Sequence, residues 1–281
     1  MQERHRNRNR NGVCKGFGGI VVGGLMALGT LIATSQAQAQ FKVVKPIVHE
    51  GEFEVEETGA VLWGYDDPDP GDDEEQQRQG HELAIGYGVT DFWKPEVALE
   101  LEQARGESLD ATAIALENTF QLLPEDAAPV NLGFFAAYAG PIDSEAAHAI
   151  EFGPIVQLPL GPVVTTVNPF FEKTFGENRE EGFAFEYAWQ TALALNENLG
   201  LGFEAFGAVE NFTGDAPPLS EQEHRIGPVA LLGIELAEGV HLGFDTGVLF
   251  GLTDATSDYA YKFNIALEIE LGGGHAGHSH D

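Results

Sequence analysis

From Leu83 to Val89, and again from Val97 to Leu101, every second residue is large and apolar, while those between are glycine, alanine or glutamate. An alternation of period two gives a ribbon with two unlike faces, so residues 80–102 predict a β-hairpin that turns at Phe92 and Trp93. The same code recurs in Phe183, Phe185, Tyr187 and Trp189, in Val240, Leu242, Phe244, Val248 and Phe250, and in Tyr259, Tyr261, Phe263, Ile265, Leu267 and Ile269. It predicts about twelve strands, over 52–65, 80–90, 95–104, 110–123, 129–139, 146–158, 162–175, 182–195, 199–212, 224–236, 239–251 and 257–271. Lengths of about nine to fourteen residues suit tilted membrane strands better than the five or six usual in soluble sheets. In the fourth segment Leu109, Ala113, Leu116 and Phe120 also fit a helical stripe. Pro154, Pro169 and Pro228 fall inside predicted strands, where each removes a ladder donor and so predicts a bulge or a later strand start.

The connections alternate in character. Longer, charged loops at 66–79, 105–109, 140–145, 176–181, 213–223 and 252–256 interleave with short turns at 90–94, 124–128, 159–161, 196–198 and 237–238. With an even number of strands both termini then lie on the short-turn side, the layout of periplasmic turns and external loops in an outer-membrane barrel. Trp63, Tyr65, Trp93, Tyr138, Phe250 and Tyr259 sit near predicted strand ends, where interfacial aromatic girdles belong. The prediction is therefore an all-β fold: an antiparallel up-and-down transmembrane β-barrel of about 12 strands over 52–271, with a lead-in at 40–51 expected on the periplasmic side. No stretch of the mature chain is a credible membrane helix, since the uncharged run 152–171 holds Pro154, Pro159, Pro162 and Pro169.

The amino terminus obeys different rules. Arg4, Arg6, Arg8, Arg10 and Lys15 precede the apolar run 16–32, and Ala37-Gln38-Ala39 offers a cleavage pattern, so residues 1–39 read as a secretory signal peptide. Its removal leaves nine Lys and Arg against 44 Asp and Glu, a formal net charge of −35. Such a chain has no counterion-release route to nucleic acid and is repelled by anionic headgroups unless cations bridge the two. The one cysteine, Cys14, lies in the leader, so the mature chain has no disulfide, thiol nucleophile or thiolate metal site.

Candidate chemistry concentrates on the face opposite the large apolar residues. Glu82, Glu100, Glu117, Glu151, Glu186, Glu204, Asp245 and Glu268 share it with Lys262 and Arg225, and a lumen lined this way is either hydrated and cation-favouring or filled by polar side chains. The polar tail 272–281 carries His275, His278, His280 and Asp281, whose spacing suits weak capture of copper, zinc or nickel. The acidic loop at Asp66–Glu75 attracts calcium or magnesium diffusely but lacks EF-hand spacing. No resident cofactor is expected beyond such weakly held cations. An enzyme is not expected either, because Ser108, Ser144, Ser220, Ser257 and Ser279 sit in loops or tail without a nucleophile-elbow pattern.

The segments 87–93 (YGVTDFW), 115–125 (ALENTFQLLPE), 152–173 (FGPIVQLPLGPVVTTVNPFFEK) and 225–234 (RIGPVALLGI) resemble those of the Gram-negative MetA-pathway-of-phenol-degradation-like family. The resemblance implies an outer-membrane barrel with a transport role for small compounds, aromatic ones among them. It carries over no catalytic residue. The reading is thus an outer-membrane passive channel or uptake porin for small solutes, with lipid, lipopolysaccharide and the barrel-assembly machinery as partners. Two alternatives stay open: a structural or metal-associated envelope barrel that does not transport, and a secreted soluble β-barrel that binds an apolar ligand inside.

Overall fold

The computed structural model describes residues 41–64, 78–103, 108–125, 127–143 and 145–271. Twelve strands run in order: β1 (Glu52–Trp63), β2 (Arg78–Tyr87), β3 (Trp93–Gln103), β4 (Asp110–Gln121), β5 (Asn131–Pro141), β6 (His148–Leu160), β7 (Val163–Phe175), β8 (Ala184–Ala194), β9 (Leu199–Val209), β10 (Glu223–Ala237), β11 (Val240–Gly251) and β12 (Tyr259–Glu270). Each pairs antiparallel with its neighbours in sequence, and β1 closes on β12, from Glu52 opposite Glu270 to Trp63 opposite Tyr259. Closure leaves no unpaired edge, which is what lets a sheet cross hydrocarbon.

The two faces separate as the alternation requires. Leu83, Ile85, Tyr87 and Val97 point outward and are exposed, whereas Glu82 and Glu100, paired across β2 and β3, are each 2% exposed. A soluble barrel holding an apolar ligand would reverse this arrangement. Small residues fill much of the inner wall: Ala84, Ala98, Ala113, Ala115, Ala139 and Ala149 form one buried cluster. The loop-side rim carries aromatic contacts, with Trp63 stacked on Tyr259 at 5.4 Å and Tyr138 stacked on His148.

Segment four is strand β4, as its place in the series predicts, its paired neighbours on both sides outweighing the helical spacing. Two expectations are corrected. The prolines cause gaps in the ladder, with no inserted residue and no delayed start. Pro154 and Pro169 lie opposite each other, and the β6–β7 ladder skips from Phe152↔Phe171 to Val156↔Val167 without a change of register. Each proline still pairs on its other side, with Phe134 and Tyr187, so one ladder carries the strand past the missing donors. Pro228 likewise pairs with Phe203 of β9 while the β10–β11 ladder skips from Ile226↔Phe250 to Val229↔Gly247. Register shifts occur elsewhere, at Glu100/Leu101 and Glu235/Ala237.

The second correction concerns the lead-in, which enters the barrel instead of staying outside it. Gly51 N–H donates to Gly88 O at the short-turn mouth, and from there the chain runs back through the lumen to Phe41. Phe41, 1% exposed, packs on Phe206, Leu62, Leu249 and three alanines, its ring edge-on to Phe206 at 5.3 Å. Burial of that ring and pairing of Lys42 supply the reason: both find partners inside that the aqueous side would not offer.

Candidate functional site

The lumen is crossed by residues 41–48, held by side chains of the barrel wall. Asn168, fully buried on β7, accepts from Val44 N–H at 2.9 Å and donates to Val44 O at 3.0 Å, as a strand partner would. Gln121 at the end of β4 accepts from Val48 N–H at 2.8 Å. Its amide donates to Leu123 O, which helps explain why the fourth connection opens at residue 122, earlier than its spacing predicts. Val44 also packs against Phe135, Ile155 and Phe170 on β5, β6 and β7.

At the centre of this strap sits Lys42. Its Nζ lies 2.6 Å from Glu56, 3.2 Å from Glu82, 3.4 Å from Glu117 and 4.0 Å from Glu96, one carboxylate from each of β1 to β4. Strand alternation makes the cage: these four glutamates occupy inward positions on consecutive strands, so they converge at one level of the wall. Burial alone would lower the pKa of the Lys42 ammonium. The carboxylates of Glu117, Glu56, Glu82 and Glu96 outweigh burial and hold it well above its ordinary value, so the strap keeps its charge. Lys94 joins from β3, bonded to Glu54 and 3.4 Å from Glu96, and Asn264 of β12 donates to Glu56 at 2.6 Å and to Thr58 at 2.9 Å.

Elsewhere in the lumen Lys262 meets Glu204 at 2.7 Å, and Gln190 donates to the other oxygen of Glu204, also at 2.7 Å. Arg225 is 2% exposed, pairs with Glu223 at 2.9 Å and lies over the Phe41 ring, 5.1 Å from its centroid. The strap divides the remaining space, and Lys42 and Val44 border both parts. On the loop side lies a cavity of about 40 Å³ bordered by Glu82, Glu117, Glu151 and Glu186, room for a few waters. On the short-turn side lies one of about 330 Å³ bordered by Glu54, Glu96, Asp245, Lys262 and Glu268.

The sequence-predicted set is therefore split. Glu82 and Glu117 meet in the cage, Glu204 and Lys262 meet as a pair, Glu100 faces Glu82 across the β2–β3 ladder, and Glu151 and Glu186 border the smaller cavity. Asp245 and Glu268 border the larger one. Sequence reasoning missed Lys42, Glu54, Glu56, Lys94 and Glu96. The alternation of Glu52, Glu54 and Glu56 with Phe53 and Val55 carries the same code as the hairpin and could have identified the β1 pair. Lys42 has no such signal, since its segment has no period. The metal readings at His275, His278, His280 and Asp281, and most of the 66–79 loop, fall outside the described residues. Among the described residues Glu54, Glu56 and Glu96 bring carboxylate oxygens within 4.8 Å of one another, but Lys42 and Lys94 already neutralise part of that charge.

No family model and no curated protein matches the sequence. Solved structures do match. The barrel is similar to the COG4313 outer membrane channel from Pseudomonas putida F1, with a TM-score of 0.56 and 10% identity over 79% of this chain and 96% of that one. It is also similar to the NanC porin, with a TM-score of 0.50 and 6% identity over 78% of this chain and 100% of that one. At these identities the likeness is one of fold, which in this chain is a closed, all-antiparallel barrel of twelve strands.

Proposed function

We propose that this protein is an outer-membrane channel for small solutes whose lumen favours cations, with the strap at 41–48 forming its constriction. The observation that carries the reading is the sorting of charge: carboxylates from most of the strands face inward while large apolar side chains face out. Glu82, Glu96, Glu100, Glu117 and Glu204 are each 4% exposed or less. Only a few lysines and arginines stand among them, so the interior field repels anions and concentrates cations. The fold shared with a porin and a channel supports a passive, non-enzymatic role. The resemblance of segments 87–93 and 152–173 to a transporter-like family agrees with it.

The test is electrical. The purified barrel in a planar bilayer, under a tenfold KCl gradient, is expected to give a reversal potential of the sign that marks potassium as the more permeant ion. A chloride preference, or a reconstituted barrel that carries no current, would overturn the proposal.

A further inference from the structure

The lumen already holds one ligand of its own making. Lys42 does not belong to the barrel wall; it is presented by a segment that enters from the short-turn mouth, and its ammonium is received by four carboxylates that are each 8% exposed or less. Two further atoms show that the receiving site is not saturated. Glu96 Oε1 is buried and accepts no hydrogen bond, lying 4.0 Å from the ammonium. Thr119 Oγ1, two residues along the same inward face from Glu117 and 1% exposed, has no hydrogen-bond partner either. The preceding residue, Phe41, is buried in an apolar cluster with Phe206, Leu62 and Leu249.

We propose that this cage is a recognition site for primary amines, and that Lys42 occupies it as a tethered stand-in for such a solute. The proposal deepens the channel reading above and rests on it, naming the class of cation the constriction selects. A primary ammonium has three donors and a compact charge, and the 2.6, 3.2 and 3.4 Å approaches to Glu56, Glu82 and Glu117 show the cage receiving that group. A divalent metal suits the place less well. Magnesium retains several waters and demands a near-octahedral shell, whereas these oxygens are largely screened from solvent and Lys94 already holds Glu54 and Glu96. Apart from Lys42 itself, the strap is held among the described residues by two bonds from Asn168, one from Gln121, the packing of Phe41 and Val44 and the Arg225 guanidinium over the Phe41 ring. A solute that supplies its own ammonium competes with Lys42 alone and can replace it at the cage while the rest of the strap stays in place.

The experiment uses the full barrel folded in detergent and titrated with 2-phenylethylamine. A tethered competitor acts at an effective concentration of about millimolar or more, so Lys42→Ala, which removes it, is expected to tighten amine binding at least about tenfold. Adding Glu82→Gln and Glu117→Gln to Lys42→Ala is expected to abolish the gain, and the neutral 2-phenylethanol is expected to show none. Should Lys42→Ala fail to fold, Asn168→Ala loosens the strap with the cage intact and is expected to tighten binding by a smaller factor. Equal binding by wild type and the folded variant, a gain shared by the neutral alcohol, or magnesium binding at the cage more tightly than the amine would each overturn the proposal. Failure of this reading stays distinct from failure of the channel. A barrel that passes potassium but ignores the amine refutes the recognition site alone, and one that binds the amine but passes no current refutes the channel alone.

Discussion

Replacing Lys262 with alanine strands a carboxylate. Glu204 is 1% exposed, and its two oxygens are taken by Lys262 Nζ and Gln190 Nε2, each at 2.7 Å. Opposite charges 2.7 Å apart attract by about 6 kcal/mol at an effective dielectric of about 20, an upper figure that desolvation of both ions largely offsets. Breaking a buried pair by removing one partner is nonetheless expensive, about 3–5 kcal/mol, because the survivor keeps its desolvation cost without its counterion. Lys262→Ala and Glu204→Gln are therefore each expected to lose about that much stability at pH 8, with the Lys262→Ala/Glu204→Gln double variant losing much less than the sum of the two. The assay is equilibrium unfolding in liposomes by guanidinium, followed through the fluorescence of Trp63, Trp93 and Trp189, with heat-modifiable gel mobility as a check on closure. Losses below about 1 kcal/mol for both single variants, or strict additivity in the double, would refute the reasoning. Either result would mean that water reaches the pair and that the lumen at this level is open.

The outward face and the tight glycine contacts make two further expectations. Ile85→Arg, at a position 54% exposed on the outer wall, is expected to lower stability in liposomes by up to about 2–4 kcal/mol, whereas a soluble barrel would tolerate it; an unchanged unfolding midpoint would deny that Ile85 faces lipid. Gly207→Ala places a methyl 2.5 Å from His224 Nδ1 and against the Tyr187 ring, which hydrogen-bond each other at 3.0 Å; a loss of about 1–3 kcal/mol is expected, while Gly233→Ala, with nothing within 4 Å, serves as the neutral control, and equal midpoints for the two variants would count against the packing.

What could be read from the chain alone was whatever depends on neighbours two residues apart. Leu83 against Glu82, or Phe263 against Lys262, reveals its face without knowledge of any partner, so the closed barrel and the inward carboxylates were legible. The prolines were harder, because whether Pro154 interrupts a strand depends on Pro169 standing opposite it, a fact of register and not of local pattern. The strap was illegible for a deeper reason. Residues 41–51 have no periodicity, and the groups that draw them inward, Asn168, Gln121, Glu117 and Phe206, are separated from them by tens to more than a hundred residues. Each inward glutamate could be assigned to the lumen singly. Their meeting around one ammonium required the stagger of four strands as well as their alternation.

The bonds from Asn264 to Glu56 and Thr58 span residues more than two hundred positions apart and cross the seam between the first and last strands. Glu56 is a wall of the cage and a partner of that seam at once, so closure completes the hydrogen bonding of a carboxylate that holds Lys42. The last contact in sequence separation is also the slowest kind to form, since the chain between must be ordered before the ends can meet. Closure at Glu56 thus serves as an internal clock for maturation. In a refolding time course, burial of the strap's amides should lag behind strand formation and coincide with the gain of heat-modifiable mobility, marking the moment when a ribbon becomes a tube.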